Sequence, residues 1–255
     1  MRTDRSGRGH PARTLELLWR AEHEPAASAR GPRPTLTVDR VVDAAVALAD
    51  AEGLAVVTMR RVAQELSVAP MSIYTYVPGK AELVDLMLDT VLARMTRSTP
   101  ASEHWRDRVV AVAADNRALY EQHPWLAEIS TSRPTLGPGV TGKYEYELGA
   151  FDGIGLDDVT MDAALTYLLG FVQTCARDAH DARAAQRESR MTDAEWWAVN
   201  EPLLSKVLDV RRFPLAVRVG AAAGAAHQGA YDPDHAYAFG LARVLDGLAA
   251  LIPST

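Results

Sequence analysis

The sequence predicts an all-α protein, with an N-terminal three-helix helix-turn-helix domain joined by a linking helix to a larger helical domain. Three observations carry this prediction. Apolar residues recur at three- and four-residue intervals through most of the chain, and no stretch sustains the alternation of a half-buried strand. Helix starts and stops are marked by residues suited to them: Thr37, Thr58 and Asp232 as N-caps, Gly53 as a C-terminal cap, and Pro78-Gly79 as a break. Residues 58–80, TMRRVAQELSVAPMSIYTYVPGK, read as two short amphipathic helices joined by a tight corner.

Taken in order, residues 1–33 are polar, rich in Arg and Ala, and broken by Pro11, Pro25, Gly31 and Pro32. This composition suits a disordered extension. Within it, Thr14 to Arg20 could form a turn or two of helix with Leu15, Leu18 and Trp19 on one side, docking back on the protein. The first helix of the head starts after Thr37 and places Val38, Val41, Val42, Ala45, Leu48 and Ala49 at helical spacing, ending at Gly53. The next begins after Thr58 with Val62, Ala63 and Leu66 on one stripe. Pro70 biases Ala69 away from helical angles but suits the first turn of a new helix, which buries Ile73 and Val77. That leaves Met71, Ser72, Thr75 and parts of Tyr74 and Tyr76 outward. A helix so short, with small, hydroxyl and aromatic groups outside, is poorly suited to closing a core and well suited to entering a major groove. The linking helix opens near Gly79-Lys80 and carries Leu83, Val84, Met87, Val91 and Met95.

Residues 34–95, with A-x-x-L-A-D-x-x-G-L, then T-M-R-R-V-A-Q-E-L, then M-S-I-Y-x-Y-V-P-G-K-A-E-L, resemble the DNA-binding domain of the TetR family of bacterial transcription repressors. One departure is Ser67, where the family usually has glycine; a left-handed conformation there costs a serine about 1 kcal/mol. The resemblance implies DNA contacts from Thr58 and Arg60, from Pro70, Met71, Ser72, Tyr74, Thr75 and Tyr76, and from Lys80. Arg60 is the long cation suited to a bidentate contact with guanine, Met71 and Thr75 can touch thymine methyls, and Ser72 can bond to base or phosphate. Tyr74, Tyr76 and Lys80 suit the DNA backbone. Arg61 reads equally as a solvated surface charge or a phosphate contact, and Tyr74 also reads as core packing, Tyr76 less so. Arg30 and Arg33, just before the first helix, could enter the minor groove as an arm.

The second domain, residues 98–255, continues as helices: Glu103 to Gln122, a short piece around Trp125 to Ile129, a loop with Pro134, Gly137, Pro138 and Gly139, then Val140 to Gly153. The most apolar helix follows Asp157 or Asp158 and runs to about Arg187. After it come Thr192 to Leu208, a break at Arg211 to Pro214, a small-residue segment to Ala226, and a final helix from Asp232-Pro233 to Ile252 with a stripe of Phe239, Ala242, Leu245, Leu248, Ala249 and Ile252. Gly170, Gly240 and Gly247 inside these helices each cost about 1 kcal/mol unless close packing uses the missing side chain. The W-W and N-E-P-L-L segments look most like the branch whose second domain is similar to that of the tetracycline repressor. By that resemblance the chain is a homodimer through 158–185 and 233–252, reading a double-stranded inverted-repeat operator whose half-sites lie about 35 Å apart. A small-molecule effector of unknown identity is then held in the second domain. Trp125, Tyr167, Phe171 and Gln173 are its expected wall, with His123, Asn116 and His180 as further polar candidates.

Composition bounds the reading. The chain has 255 residues, 48% of them hydrophobic, and no apolar run approaching the roughly 20 residues of a membrane span. With no apolar leader, the expected location is the cytoplasm, with no membrane partner. The single Cys175 rules out an internal disulfide and reads as a small buried hydrophobe. The net charge of −6 is uneven: residues 1–97 carry 13 Lys and Arg against 12 Asp and Glu, while 98–255 carry 14 against 21. Phosphate attraction must therefore come from local clusters and helix N-termini. No nucleophile–base pair, phosphate loop or metal set stands out; Asp178, His180 and Asp181 do not share one helix face. The expected function is a ligand-released repressor, neither enzyme nor cofactor protein. An activator of the same fold, or an α-helical small-molecule binding protein or enzyme, remains as an alternative.

Overall fold

The computed structural model describes residues 10–23, 36–129, 133–227, 229 and 231–253. Among them every regular element is a helix: α1 (Pro11–Leu18), α2 (Arg20–His23), α3 (Val38–Glu52), α4 (Met59–Glu65), α5 (Pro70–Tyr74), α6 (Lys80–Ala93), α7 (Trp105–Gln122), α8 (Pro138–Leu148), α9 (Asp158–Ser189), α10 (Asp193–Val207), α11 (Pro214–His227) and α12 (Pro233–Ala249). Short 3-10 turns fill Leu54–Val56 and Pro124–Glu128. The chain forms two compact units, one reaching Gln173 and regaining Ala250 onward, the other Thr174–Ala249.

In the first unit the helices start where their caps predict. The Thr37 hydroxyl accepts the Arg40 N–H and the Thr58 hydroxyl accepts the Arg61 N–H, each satisfying a donor that a helix leaves orphaned. The faces of α3, α4, α5 and α6 that meet are Val41, Val42, Ala45, Val62, Ala63, Ile73, Val77, Leu83 and Met87, all fully buried. This core does not stop at the linking helix. Leu119, Trp125, Leu126 and Ile129 belong to the same cluster, so the end of α7 and the turn after it close the head from the other side. Two polar anchors hold that closure: Asp50 near the end of α3 receives the Trp125 indole N–H at 2.7 Å and contacts His123 Nδ1 at 2.7 Å.

The N-terminal stretch docks as a helix. Its buried stripe is Thr14, Leu17 and Leu18, one helical position away from the expected Leu15, which stays exposed. Three polar links tie the stretch down. The His10 N–H donates to Glu82 at 3.1 Å, the Trp19 indole donates to the Leu136 carbonyl at 2.8 Å, and Arg20 pairs with Asp39.

Two glycines set the packing of α8 on α6. A Cβ on Gly139 would overlap the Asp89 carbonyl oxygen, and one on Gly137 would strike the Asp89 carboxylate. Only backbone fits there.

Along α9 the buried residues of the first unit are Ala164, Leu165 and Leu168, then Val172, while Val159, Ala163, Tyr167 and Gly170 face outward. By length and composition alone α9 could cross a membrane. In the second unit α12 buries Leu241, Val244, Leu245 and Leu248. Phe239, expected in that stripe, lies on the opposite, exposed face together with Gly247; Leu241 and Val244 take the inward places because they share a face with Leu245 and Leu248 at three- and four-residue steps. A Cβ added to Gly170 or Gly247 would meet nothing within 4 Å among the described residues, so within one chain neither glycine is explained by close packing.

Candidate nucleic-acid interface

The corner between α4 and α5 is built from the backbone. The Val68 N–H bonds the Ala63 carbonyl at 3.0 Å and the Ser67 N–H bonds the Gln64 carbonyl at 3.1 Å, the paired bonds of a Schellman cap. Such a cap needs a left-handed residue after the helix, and Ser67 supplies it with φ +55°. The expected strain at Ser67 is thus present. From Val68 the chain reaches Pro70, which sits at the first position of α5 with Ala69 extended before it.

Ile73 and Val77 pin α5 to the core with no exposed surface. Opposite them, Met71 is 74% exposed and Tyr74 44% exposed, Thr75 is exposed and Ser72 half-buried. The order expected for the two tyrosines is reversed. Tyr76 is the one that packs on the core, because its N–H bonds the Ile73 carbonyl in a 3-10 turn that stacks residue 76 over residue 73. Tyr74 is left outward.

On α4, Thr58 and Arg60 are exposed, and Arg60 has no hydrogen bond or ion pair among the described residues. Arg61 is half-buried and ion-paired. Its guanidinium bridges Glu52 at 2.9 Å and Glu65 at 3.0 Å, lashing α4 to the end of α3, and those two carboxylates hold its pKa above the usual arginine value. These two ion pairs tie the Arg61 side chain to the end of α3 and to α4 itself. Lys80 is half-buried at the first position of α6. Arg30 and Arg33 lie outside the described residues.

Behind this face, the α6–α8 joint carries chemistry that no motif signalled. Asp89 Oδ1 accepts the Val140 N–H at 2.8 Å at the N-terminus of α8, and Asp89 is also bonded by the Gly139 N–H. Burial raises the pKa of this carboxyl, an effect that the two amides and Arg20 oppose. The only hint in the sequence is the pair Gly137 and Gly139, which reads as loop punctuation until a neighbouring helix is known to lie against it.

Trp125 is 1% exposed and spends its indole N–H on Asp50 within the head's core, while Tyr167 is 66% exposed on the outer face of α9; Phe171 and Gln173 are half-buried. Two polar candidates are also structural. His123 contacts Asp50, and Asn116 donates to Glu147 and to the Val112 carbonyl. Glu147 further pairs with Lys143, and desolvation lowers the lysine's pKa. Next to them the Tyr146 hydroxyl donates to Asp115 at 2.7 Å, and burial with that bond raises the phenol's pKa. In the second unit a cavity of about 160 Å³ lies between α10 and α11, lined by Trp197, Leu204, Leu208, Val217 and Ala221. None of the four wall residues lines it.

Comparison with known proteins places both halves. Residues 41–87 match the family described as bacterial regulatory proteins, tetR family, and residues 99–252 match the tetracyclin repressor-like C-terminal domain. The chain is 43% identical over 252 residues, 98% of its length and 90% of the relative's, to the HTH-type transcriptional repressor DrrR1 of Streptomyces coeruleorubidus. Its fold is similar to that of ActR from Streptomyces coelicolor, solved in complex with actinorhodin, with a TM-score of 0.71 at 28% identity over 88% of this chain and 99% of that one. It is also similar to BioQ solved with its double-stranded DNA operator, with a TM-score of 0.50 at 26% identity over 60% of this chain and 93% of that one.

Proposed function

The chain belongs to the TetR family of bacterial regulatory proteins and is a DNA-binding transcriptional repressor; we propose that it reads an inverted-repeat operator as a homodimer and leaves it when a small-molecule effector binds the helical C-terminal half. The observation that carries the reading is the α5 helix. Ile73 and Val77 fix it to the core with no exposure, and its opposite face presents Met71, Ser72, Tyr74 and Thr75. Five residues of helix offer too few contacts for one head to specify a site, so two heads are used.

In this reading Arg60 reads guanine, Met71 and Thr75 meet thymine methyls, and Ser72, Tyr74, Tyr76, Thr58 and Lys80 hold the DNA backbone around Pro70. Arg61 keeps the frame. Dimerisation runs through 158–185 and 233–252. Support comes from the outward Val159, Tyr167 and Phe239 and from Gly170 and Gly247, whose missing side chains face open space in a single chain. The complex of ActR with actinorhodin supports a small-molecule effector, and in the C-terminal half Phe171 and Gln173 are wall residues suitably half-buried. The effector acts by differential affinity for dimers whose heads do not match the operator spacing. Such a regulator works in the cytoplasm.

The test is selection of bound duplexes from a random pool by the purified protein at fixed salt. Enrichment of an inverted repeat, together with a two-chain mass by sedimentation, is the expected result. A monomer at micromolar concentration, or enrichment of a single asymmetric half-site, overturns the dimeric reading.

A further inference from the structure

The reading head is held at two places. One is α6, which continues out of it along the chain; the other is the turn after α7, where Leu119, Trp125, Leu126 and Ile129 join the head's core. A body carried by one helix alone can swing about that helix, and a second attachment removes the swing. Apolar burial draws the turn onto α3 but has no direction of its own.

Direction comes from one oxygen. Asp50 Oδ1, two residues before the end of α3, accepts the Trp125 indole N–H at 2.7 Å and lies 2.7 Å from His123 Nδ1. The two rings flank Pro124, whose own ring fixes its φ, and they meet edge to face with centroids 6.1 Å apart. Trp125 is 1% exposed and His123 8%. A hydrogen bond to a carboxylate is shorter and stronger than one between neutral groups, and stronger again away from water. Two further polar links reach α3: Arg94 pairs with Asp43 at 2.7 Å, and Arg20 pairs with Asp39. In both, the carboxylate side chain is at least 50% exposed, where an ion pair contributes little. The Asp50 link is the one that loses a buried partner if it breaks, because the Trp125 N–H is then left in a dry core without an acceptor.

We propose that Asp50 is the positioning residue that sets the angle of the reading head on the α7 turn, and that through this angle it determines which half-site spacing the protein accepts. The proposal deepens the dimeric operator reading and rests on it. Asp50 acts through Trp125 and His123 on α3, and α3 carries α4 and α5 with it through their shared core. Base readout by α5 is then separate from spacing readout, which belongs to the α3–α7 joint.

The test uses the full-length protein and the inverted-repeat duplex recovered from the random pool, remade with one or two base pairs added or removed between its half-sites. Each base pair turns one half-site by about 35° relative to the other. The parent should lose about tenfold or more in affinity for a one-pair change, on the scale of a mismatched base pair, whereas Asp50→Leu should bind more weakly at the best spacing and lose about threefold or less away from it. Selection with Asp50→Leu should recover the parent's half-site bases. Asp50→Asn, which keeps an oxygen for the indole N–H, should restore the parent's profile. The ratio of affinities between spacings does not depend on the fraction of protein folded, so a loss of stability alone leaves it unmoved. Trp125→Phe, which keeps a ring in the core and drops the N–H, gives the same measurement if Asp50→Leu is unfolded by circular dichroism. A folded variant with a spacing profile as sharp as the parent's, or with altered half-site bases, overturns the proposal and leaves the operator reading intact. A parent protein with no preferred spacing overturns both.

Discussion

The Asp89 carboxylate of α6 accepts the N–H of Val140, the third residue of α8, at 2.8 Å. A side chain of α6 thereby caps α8 within the same unit, a duty usually met by a residue next to the capped helix itself. Asp89→Ala leaves buried amides unmet and is expected to cost about 1–3 kcal/mol in denaturant unfolding. Asp89→Asn keeps an acceptor and should cost less. Because burial raises this carboxyl's pKa above 3.8, the folded state holds the proton to higher pH than the unfolded chain. Its contribution is therefore greatest below 3.8 and is lost as pH rises through the raised value. The stability of Asp89→Asn relative to the parent should accordingly rise over that window; a flat difference would contradict the assignment.

Gly139 lies against the same residue's backbone. With an added Cβ driven into the Asp89 carbonyl oxygen, Gly139→Ala forces α8 off α6. A loss of about 1–3 kcal/mol is expected, as for overpacking of a tight core, and should be non-additive with Asp89→Ala. Strict additivity in a double-mutant cycle would show that the two residues do not form one joint.

Ser67 holds φ +55° at the C-terminal cap of α4. Ser67→Gly should relieve about 1 kcal/mol and raise Tm by roughly 2–4 °C in a chain of this size, with operator affinity preserved. No gain in Tm would mean that the serine is not strained.

Arg60 and Arg61 are neighbours with opposite assignments. Arg60→Ala should weaken operator binding by about tenfold or more, the cost of a lost base contact. Arg61→Ala breaks the bridge to Glu52 and Glu65 and should lower thermal stability slightly while leaving the salt slope of DNA binding unchanged. Equal effects of the two on DNA affinity and salt slope would overturn the division between them.

Lys143 and Glu147 form a buried four-residue-spaced pair on α8 that Asn116 of α7 completes. Lys143→Met strands the Glu147 carboxylate and should cost about 3–5 kcal/mol, whereas Lys143→Met combined with Glu147→Leu should recover much of it. Chemical denaturation of the three variants decides; a double variant as unstable as the single would contradict burial of an unpaired charge as the cause.

Local rules made the reading head legible. Caps at Thr37 and Thr58, the Pro70 start and the Ile73/Val77 anchor all depend on residues within one turn of each other, and each stands as expected. What escaped depends on distant contacts. The Arg61 bridge needs Glu52, nine residues back across a turn, although its Glu65 half follows four-residue helical spacing. Trp125 reads as a pocket wall because aromatic composition does not say which core claims a ring; its bond to Asp50, 75 residues away, does. The α12 stripe is shifted because Phe239 is apolar and a single-chain hydrophobic pattern cannot separate a face turned to the core from one turned outward.

The docking of α1 bears on how this protein can be cut and rejoined. Leu17 and Leu18 are part of the head's core, and Trp19 reaches across to Leu136. A chimaera that takes its reading head from residue 36 onward would discard two core leucines and open an apolar hole over α6. The portable module begins no later than Pro11, and a designer who wants to transplant its DNA specificity should carry the leading helix and the backbone stretch at Leu136 together, or supply a substitute lid for both.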